Sequence, residues 1–451
     1  MTVIFPAVLA ALASVGSPVG VKAAPAEAND AGKPIFRFAF GSGNVPTGYT
    51  QVLPTTAYTN GLGYGFEPGA GVTAVDRGGD DPLRSHFITS DKPFFFSVKV
   101  PEEGNYRVTV TLGDQAGGTT TTIKAELRRL MVEKIHTAPG KFETVGFIVN
   151  TRTPKIRAVG DIKEGEVRLK APRETTQEAW AWDDLLTLEF NNTRPAVCAL
   201  EITKVDVPTV FLLGDSTVCD QSREPFASWG QMLTRFFKPE VAVANHAESG
   251  ETYRDSIGRR RLDKILSVMK PGDYLIMQFG HNDQKQRGDG MGPFLNYKTE
   301  IKQHVEAVRK HRGIPVIVSP MERRNFDENG KIKPSLADYA EAARQSAKEL
   351  NVAFVDLNAM SIPFYEALGP EKSKLAFAMP APDRVDNTHH DNYGAYELAK
   401  CIVQGIKNNK LDLAKYIVDD FKGFDPARPD PVERFDVPPS PQFANQRPLG
   451  D

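Results

Sequence analysis

The chain is predicted to fold as an all-β sandwich followed by an α/β domain of three layers, and three patterns carry that expectation. Residues 35 to about 205 alternate apolar and polar side chains with period two, as strands do when one face is buried and the other meets water. From Val207-Pro208 the texture changes to short, continuously apolar runs separated by amphipathic helical stretches. Such runs are strands of a parallel sheet covered on both faces. From Phe424 onward, "FDPARPDPVERFDVPPSPQFANQRPLGD" holds seven prolines and can be neither helix nor central strand.

Taken in order, "MTVIFPAVLAALASVGSPVGVKAAPAEAND" reads as a secretory signal over residues 1–23, with an apolar run from Val3 to Val15 and "VKA" ahead of Ala24. No Lys or Arg precedes the run. It is shorter than the ~20 apolar residues a membrane span needs, so a secreted or periplasmic protein without a membrane partner is expected. Residues 24–206 form the sandwich. In "KPFFFSVKVPEEGNYRVTVTLGD", Phe94, Phe96, Val98 and Val100 alternate with Phe95, Ser97 and Lys99, and Tyr106, Val108, Val110 and Leu112 continue the pattern after the "PEEG" turn. No helical period interrupts this region. Residues 207–410 carry five strand-like runs, "TVFLLGDS", "VAVANHA", "YLIMQFG", "PVIVSP" and "VAFVDL". Helical patterns separate them ("SWGQMLTRFF", "RRLDKILSVMK", "NYKTEIKQHVEAVRKH", "LADYAEAARQSAKEL"), which fits a flavodoxin-like sheet. A helix over "NYGAYELAKCIVQGIK" closes the domain, and residues 411–451 are an extended arm or a loose tail.

Composition excludes several classes. At 451 residues, 25% charged and 40% hydrophobic, the chain is an ordinary globular protein of two or three domains. A formal net charge of −2 gives no sign of a nucleic-acid partner. Eight histidines show no zinc-site spacing, and neither metal nor cofactor is expected. Cys198, Cys219 and Cys401 are an odd number and few; no disulfide is expected in a domain large enough to fold without one.

In an open α/β sheet, ligands bind outside the carboxyl ends of the strands. The residues there are Asp215-Ser216 after the first strand, "ESGET" after the second, "GHNDQ" after the third, and "RVDNTHHDNYG" near the end. These types fill the roles of a serine hydrolase. Ser216 supplies a hydroxyl, which needs a base; His389 can be that base, and Asp386, three residues earlier in one turn, can orient it. The N–H groups of Ser216 and Gly250 and the Asn282 side chain can converge on a developing oxyanion, each worth on the order of 3 kcal/mol. His390 is an alternative base, disfavoured by the Asp-x-x-His spacing. Cys219 lacks a base of its own.

"GDST", Gly250, "GHND" and "DNTH", in that order over residues 207 to about 410, resemble the SGNH (GDSL-type) hydrolase family. With "PMERRNFD" and the preceding β-domain, the resemblance is greatest to rhamnogalacturonan acetylesterases. It implies a galactose-binding-like sandwich and Ser216 as nucleophile with His389 and Asp386. It also implies an oxyanion hole of Ser216, Gly250 and Asn282, and acetyl-ester hydrolysis on a pectic polysaccharide without a cofactor. The expected partner is that acetylated glycan and the expected state a monomer. Gly250 is matched by position alone. The alternatives are the same chemistry on acetylated xylan, a lipid or a thioester, and a non-catalytic carbohydrate-binding protein. Candidate sugar contacts are His281 and Asp283, which otherwise brace their loop, and Arg323 and Arg324, which could clamp a uronate carboxylate. Tyr49, Tyr58, Tyr64, Trp180 and Trp182 could stack on sugars in the sandwich, whereas Trp229 reads as core.

Overall fold

The computed structural model describes residues 33–442, so the expected signal peptide lies outside the described residues. The first domain packs two sheets face to face. One is built around Lys141–Thr151, Gly104–Asp114, Ala196–Lys204, Phe36–Phe40 and Thr50–Val52; the other runs Tyr64–Phe66, Phe94–Lys99, Leu185–Asn191, Thr119–Ala125, Arg129–Thr137. The inward positions are those the period-two pattern marks: Phe94, Phe96, Val98, Tyr106, Val108, Val110 and Leu112 are all buried. Phe38, Phe40, Phe66, Phe94 and Phe96 meet at ring separations of 5.1–6.1 Å, mostly edge-on, which adds directional attraction to the area they bury.

The second domain has five parallel strands, β1 (Thr209–Gly214), β2 (Ala242–Asn245), β3 (Tyr274–Gln278), β4 (Ile314–Val318) and β5 (Ala353–Val355), in the order 2-1-3-4-5. Alternate residues of each strand face opposite helical layers. Val210, Leu212, Ile276, Val316 and Val318 pack with α1 (Trp229–Leu233), α6 (Leu357–Lys372) and α7 (Asn392–Asn408). Phe211, Leu213, Leu275, Met277 and Ile317 pack with α3 (Arg261–Val268), α4 (Lys298–Lys310) and α5 (Ala337–Leu350). Two helices lie outside the sequence patterns. The six-residue α2 (Tyr253–Gly258) is set by a Thr252–Asp255 capping box. The other, α6, contains Pro363 and Pro370 and breaks at Gly369 (φ 71°), so no clean amphipathic period announces it. Among the described residues no helix is long and apolar enough to cross a membrane.

Two expectations about the first domain are corrected, and of the two readings of residues 411–451 the described part takes the arm. Helical turns do interrupt the β region: Arg173–Gln177 and Ala179–Ala181 lie in an excursion between the strands ending at Glu166 and beginning at Leu185. They form because this excursion packs on the second domain rather than in the sandwich. Trp182 is consequently no sugar platform. It is buried in the core shared with α3 and α4, its indole N–H donates to Glu174 Oε1 (3.0 Å), and the Arg152 guanidinium lies 4.5 Å over its ring. The arm, as far as it is described, is not loose. Leu413, Ile417 and Val437 are buried against the α7 face, and Lys124 Nζ reaches back from the sandwich to Pro438 O (2.7 Å) and Ser440 Oγ (2.8 Å). Trp229 is fully buried, as read. Of the other aromatics, Tyr64 packs on Phe38 (4.9 Å), Tyr49 donates to Glu201, and Tyr58 donates to Asn60 (3.3 Å).

Replacing Trp182 by Ala removes a buried ring, a hydrogen bond and a cation–π contact. Urea unfolding is expected to show a loss of about 3–5 kcal/mol; a loss below ~1 kcal/mol would contradict the placement of this residue in the shared core.

Candidate active site

The strand order reverses between β1 and β3, and the crevice outside their carboxyl ends is where such sheets bind ligands. Ser216 stands there, two residues past the end of β1. A β-carbon at Gly214 would lie 2.5 Å from both the Gln278 carbonyl oxygen and Val218 Cγ2, so only glycine lets the chain fold back this closely. The turn is tied at every step. The Asp215 carbonyl accepts from the N–H groups of Val218 and Cys219 (both 3.0 Å), and its carboxylate accepts from the Thr217 N–H (2.9 Å) and O–H (2.7 Å). Gln221 Nε2 donates to the Ser216 carbonyl (2.7 Å).

The loop before α7 brings His389 and Asp386 to this serine. His389 Nε2 lies 2.9 Å from Ser216 Oγ, and His389 Nδ1 lies 3.1 Å from Asp386 Oδ2. Asp386 Oδ1 accepts the N–H groups of Thr388 (2.8 Å) and His389 (2.9 Å), so one carboxylate both caps the turn and aims the ring. With Nδ1–H donated to Asp386, Nε2 is left to accept the serine hydroxyl proton. Burial works against the Asp386 charge, but the hydrogen bond and charge of His389 and the two backbone N–H groups outweigh it and hold the carboxyl down to about 2. His390 points the other way, as neighbours in extended chain do. Its Nε2 meets the Tyr365 hydroxyl (2.8 Å), its ring lies 4.3 Å from Phe377, and burial pushes it down to about 3. It is a neutral core residue, not a second base.

Gly250 follows β2 at φ 73°, a left-handed conformation that favours glycine. Its loop is anchored to the Ser216 strand by Glu248 N–H donating to the Gly214 carbonyl (3.0 Å). One N–H of the Asn282 side-chain amide donates to the Glu251 carbonyl (3.0 Å), so the loop after β3 is registered against the loop after β2. The structure thus brings the turns of Ser216, Gly250, Asn282 and His389 to one end of the sheet.

What the sequence reading missed is that the first domain holds two of these turns. Arg129 pairs with Asp220 (2.7 Å) and Arg128 with Glu224 (2.6 Å), while Arg128 Nη1 donates to the carbonyls of Gln221 (3.0 Å) and Phe226 (2.7 Å). The Phe226 ring in turn sits edge-on to His389 at 5.9 Å. From the excursion, Arg173 donates to Ser249 Oγ (2.9 Å) and pairs with Glu248 (3.0 Å) and Glu178 (2.7 Å); Lys170 donates to the Ser249 carbonyl and pairs with Glu251 (2.7 Å). Burial, and then the proximity of Glu178, push the Glu248 carboxyl well above the usual range, against the opposing pull of Arg173. Apart from Arg173–Glu178, whose members are five residues apart, no spacing in the sequence signals these pairs, because the partners come from separate domains.

The remaining candidates have protein partners. Asp283 accepts the first amide of α2, from Tyr253 (3.2 Å), and burial raises its carboxyl well above the usual range. His281 Nδ1 lies 3.4 Å from Asp215 Oδ2. Asp283 therefore braces the loop after β3 against α2. Arg324 donates to Ser373 Oγ (3.0 Å), Asn387 Oδ1 (3.1 Å) and the Pro370 carbonyl. Arg323 donates to Thr388 Oγ1 (3.2 Å) and Ser335 Oγ (3.5 Å), and the Gln284 amide, turned oxygen-first, lies 2.5 Å from its Nη2. These contacts order the loop that carries His389 and leave neither arginine as a ready carboxylate clamp. Cys219 is buried with Sγ 3.4 Å from Ser249 Oγ, burial holds its thiol protonated, and all three cysteines are free. Among the described residues no group of three or more His, Cys, Asp or Glu is gathered to hold a metal ion.

Because the folded carboxyl of Asp386 lies at about 2 against an ordinary 3.8, its contribution to stability is complete above the ordinary value and is lost as pH falls through the folded one. The unfolding free-energy difference between wild type and Asp386→Asn is expected to shrink by on the order of 2 kcal/mol as pH falls from about 5 to about 2. A difference that stays constant over that range would contradict the arrangement.

Comparison with known proteins agrees with this architecture. The pattern of the GDSL-like lipase/acylhydrolase family matches residues 212–389, and that of the beta-agarase/YXIM esterase-like, galactose-binding domain-like family matches residues 36–135. Rhamnogalacturonan acetylesterase RhgT of Bacillus subtilis (strain 168) is 39% identical over 219 residues, 46% of this chain and 94% of that protein. Probable rhamnogalacturonan acetylesterase YesY of the same strain is 33% identical over 214 residues, 46% of this chain and 97% of that protein. An uncharacterized esterase of that strain, YxiM, is 26% identical over 393 residues, 84% of this chain and 92% of its own. The chain belongs to the GDSL-like (SGNH) lipase/acylhydrolase family, a carboxylic ester hydrolase that carries a galactose-binding-like domain ahead of its α/β domain.

Proposed function

We propose that the protein is an exported acetylesterase that removes acetyl groups from pectic rhamnogalacturonan through an acetyl-serine intermediate. The observation that carries the chemistry is the hydrogen-bonded row Ser216–His389–Asp386. The substrate reading is supported by the names of the relatives matched at 39% and 33% identity, and export by the apolar run ahead of Ala24.

In this mechanism Ser216 Oγ attacks the acetyl carbonyl carbon while His389 Nε2 takes its proton. Asp386 stays ionised, fixing the ring and stabilising the imidazolium. The carbonyl oxygen becomes an oxyanion facing the N–H groups of Ser216 and Gly250 and the Asn282 amide. Collapse expels the sugar hydroxyl, which receives the proton from His389. Water, deprotonated by the same imidazole, then attacks the acetyl-serine and releases acetate.

The test is acetate release from acetylated rhamnogalacturonan and acetylated xylan, with wild type and Ser216→Ala. Release from the pectic polymer should fall at least 10³-fold in the variant. Release from xylan alone would overturn the substrate and keep the chemistry; undiminished release by the variant would overturn Ser216 as nucleophile. Arg173→Gln should lower kcat on small acetyl esters by ~10–100-fold with little change in KM, since it frees the Gly250 loop to shift by a fraction of an ångström. An unaltered kcat would contradict a role for that loop in the transition state.

A further inference from the structure

The excursion that clamps the Gly250 loop also walls a cavity on its outer side. The cavity measures about 310 Å³ and lies between the domains, with Trp180, Phe95 and Gln177 from the first domain facing Ser222 and Arg223 from the second. That volume falls at the lower end of pockets that hold small ligands, ~300–1,000 Å³. The Trp180 indole is half-buried, propped at 56° against Phe95 with ring centres 5.3 Å apart, and so offers a rigid, partly open aromatic face. Arg223 is exposed, and its guanidinium makes no hydrogen bond or ion pair with any described residue. It differs in this from Arg323 and Arg324, whose donors are engaged by protein groups. Two connections place the cavity one layer of residues from the reacting serine. Ser222 follows Gln221, whose side chain donates to the Ser216 carbonyl (2.7 Å). Arg128, also in the cavity wall, donates to the carbonyl of Phe226, whose ring contacts His389.

We infer that this cavity is a glycan subsite that takes a hexuronate residue of the polysaccharide chain bearing the acetyl group. The pyranose ring lies on Trp180, and its carboxylate pairs with Arg223. This inference rests on the proposed polysaccharide substrate and extends it to the first domain. A polymer longer than the crevice over Ser216 must leave it along some surface, and here an aromatic face and an uncommitted guanidinium sit together beside it. The aromatic face suits the apolar side of a sugar ring, and the planar fork of arginine suits a carboxylate. The sandwich thereby contributes to substrate choice as well as to holding the catalytic loops.

Calorimetric titration of acetylated rhamnogalacturonan oligosaccharides into the Ser216→Ala protein tests this without turnover. Adding Trp180→Ala should weaken binding about tenfold. Adding Arg223→Gln should weaken it about fivefold for the acidic oligosaccharide and leave binding of its carboxyl-reduced form unaltered. Arg223→Lys should recover part of the loss. Because Arg223 is exposed, its variants retain the parent melting temperature, which separates lost recognition from lost structure. Unchanged affinity in both variants would overturn the subsite and leave the deacetylation reading standing. Equal weakening by Arg223→Gln for both forms of the oligosaccharide would overturn the uronate assignment. No binding by the Ser216→Ala parent, alongside wild-type hydrolysis of small acetyl esters, would overturn the pectic substrate and the subsite with it.

Discussion

A charge taken out of water must find a partner, and in this protein that requirement joins the two domains into one working unit. The loop after Ser216 carries Asp220 and Glu224, and the loop after β2 carries Glu248 and Glu251, all buried. The first domain supplies Arg129, Arg128, Arg173 and Lys170 to them, and Glu251 also meets Arg259 of the second domain (3.2 Å). Removing one member of such a pair strands the other and costs about 3–5 kcal/mol, far more than an exposed pair is worth. The loops that follow Ser216 and β2 therefore depend on the first domain for much of their shape.

That constraint explains the layout of the site. A nucleophile at the end of a parallel strand needs a turn tight enough to present its hydroxyl, which Gly214 and the hydrogen bonds to Asp215 supply. Oxyanion donors need to be held before the charge develops, since donors that must reorganise during the reaction lose most of their advantage. Here the loop carrying Gly250 is fixed from one side by the β1 turn and from the other by Lys170 and Arg173. The arm closes the assembly, bonding Ser440 to Glu224 (2.8 Å) and to Lys124 (2.8 Å).

Local pattern made much of this legible. The inward Phe and Val of the sandwich, the five strands with their alternating burial, and the Asp-x-x-His turn all follow from periodicity and spacing. Each depends on residues near one another in sequence. Where the reading failed, the deciding contact was distant. Trp182 looks like any exposed aromatic until α3 is packed on it, and "RRN" looks like free arginines until Asn387 and Ser373 arrive from elsewhere in the chain. The arm's prolines rule out an α-helix and a central strand, leaving a short 3₁₀ turn at Val432–Arg434, but say nothing about the buried positions that Leu413, Ile417 and Val437 take in the core α7 shares.

By itself the sequence determined the two domain types, the strand that delivers Ser216, and the pairing of His389 with Asp386, because backbone periodicity and a three-residue spacing in one turn are local properties. Only the tertiary structure showed where His390 goes, since that depends on Tyr365 and Phe377 occupying the side opposite the serine. It also decided that the first domain supplies cations to the loops after Ser216 and β2 and that Trp180, rather than Trp182, keeps an open face. Buried charges and aromatic surfaces acquire their roles from what covers them, and what covers them here lies a domain away.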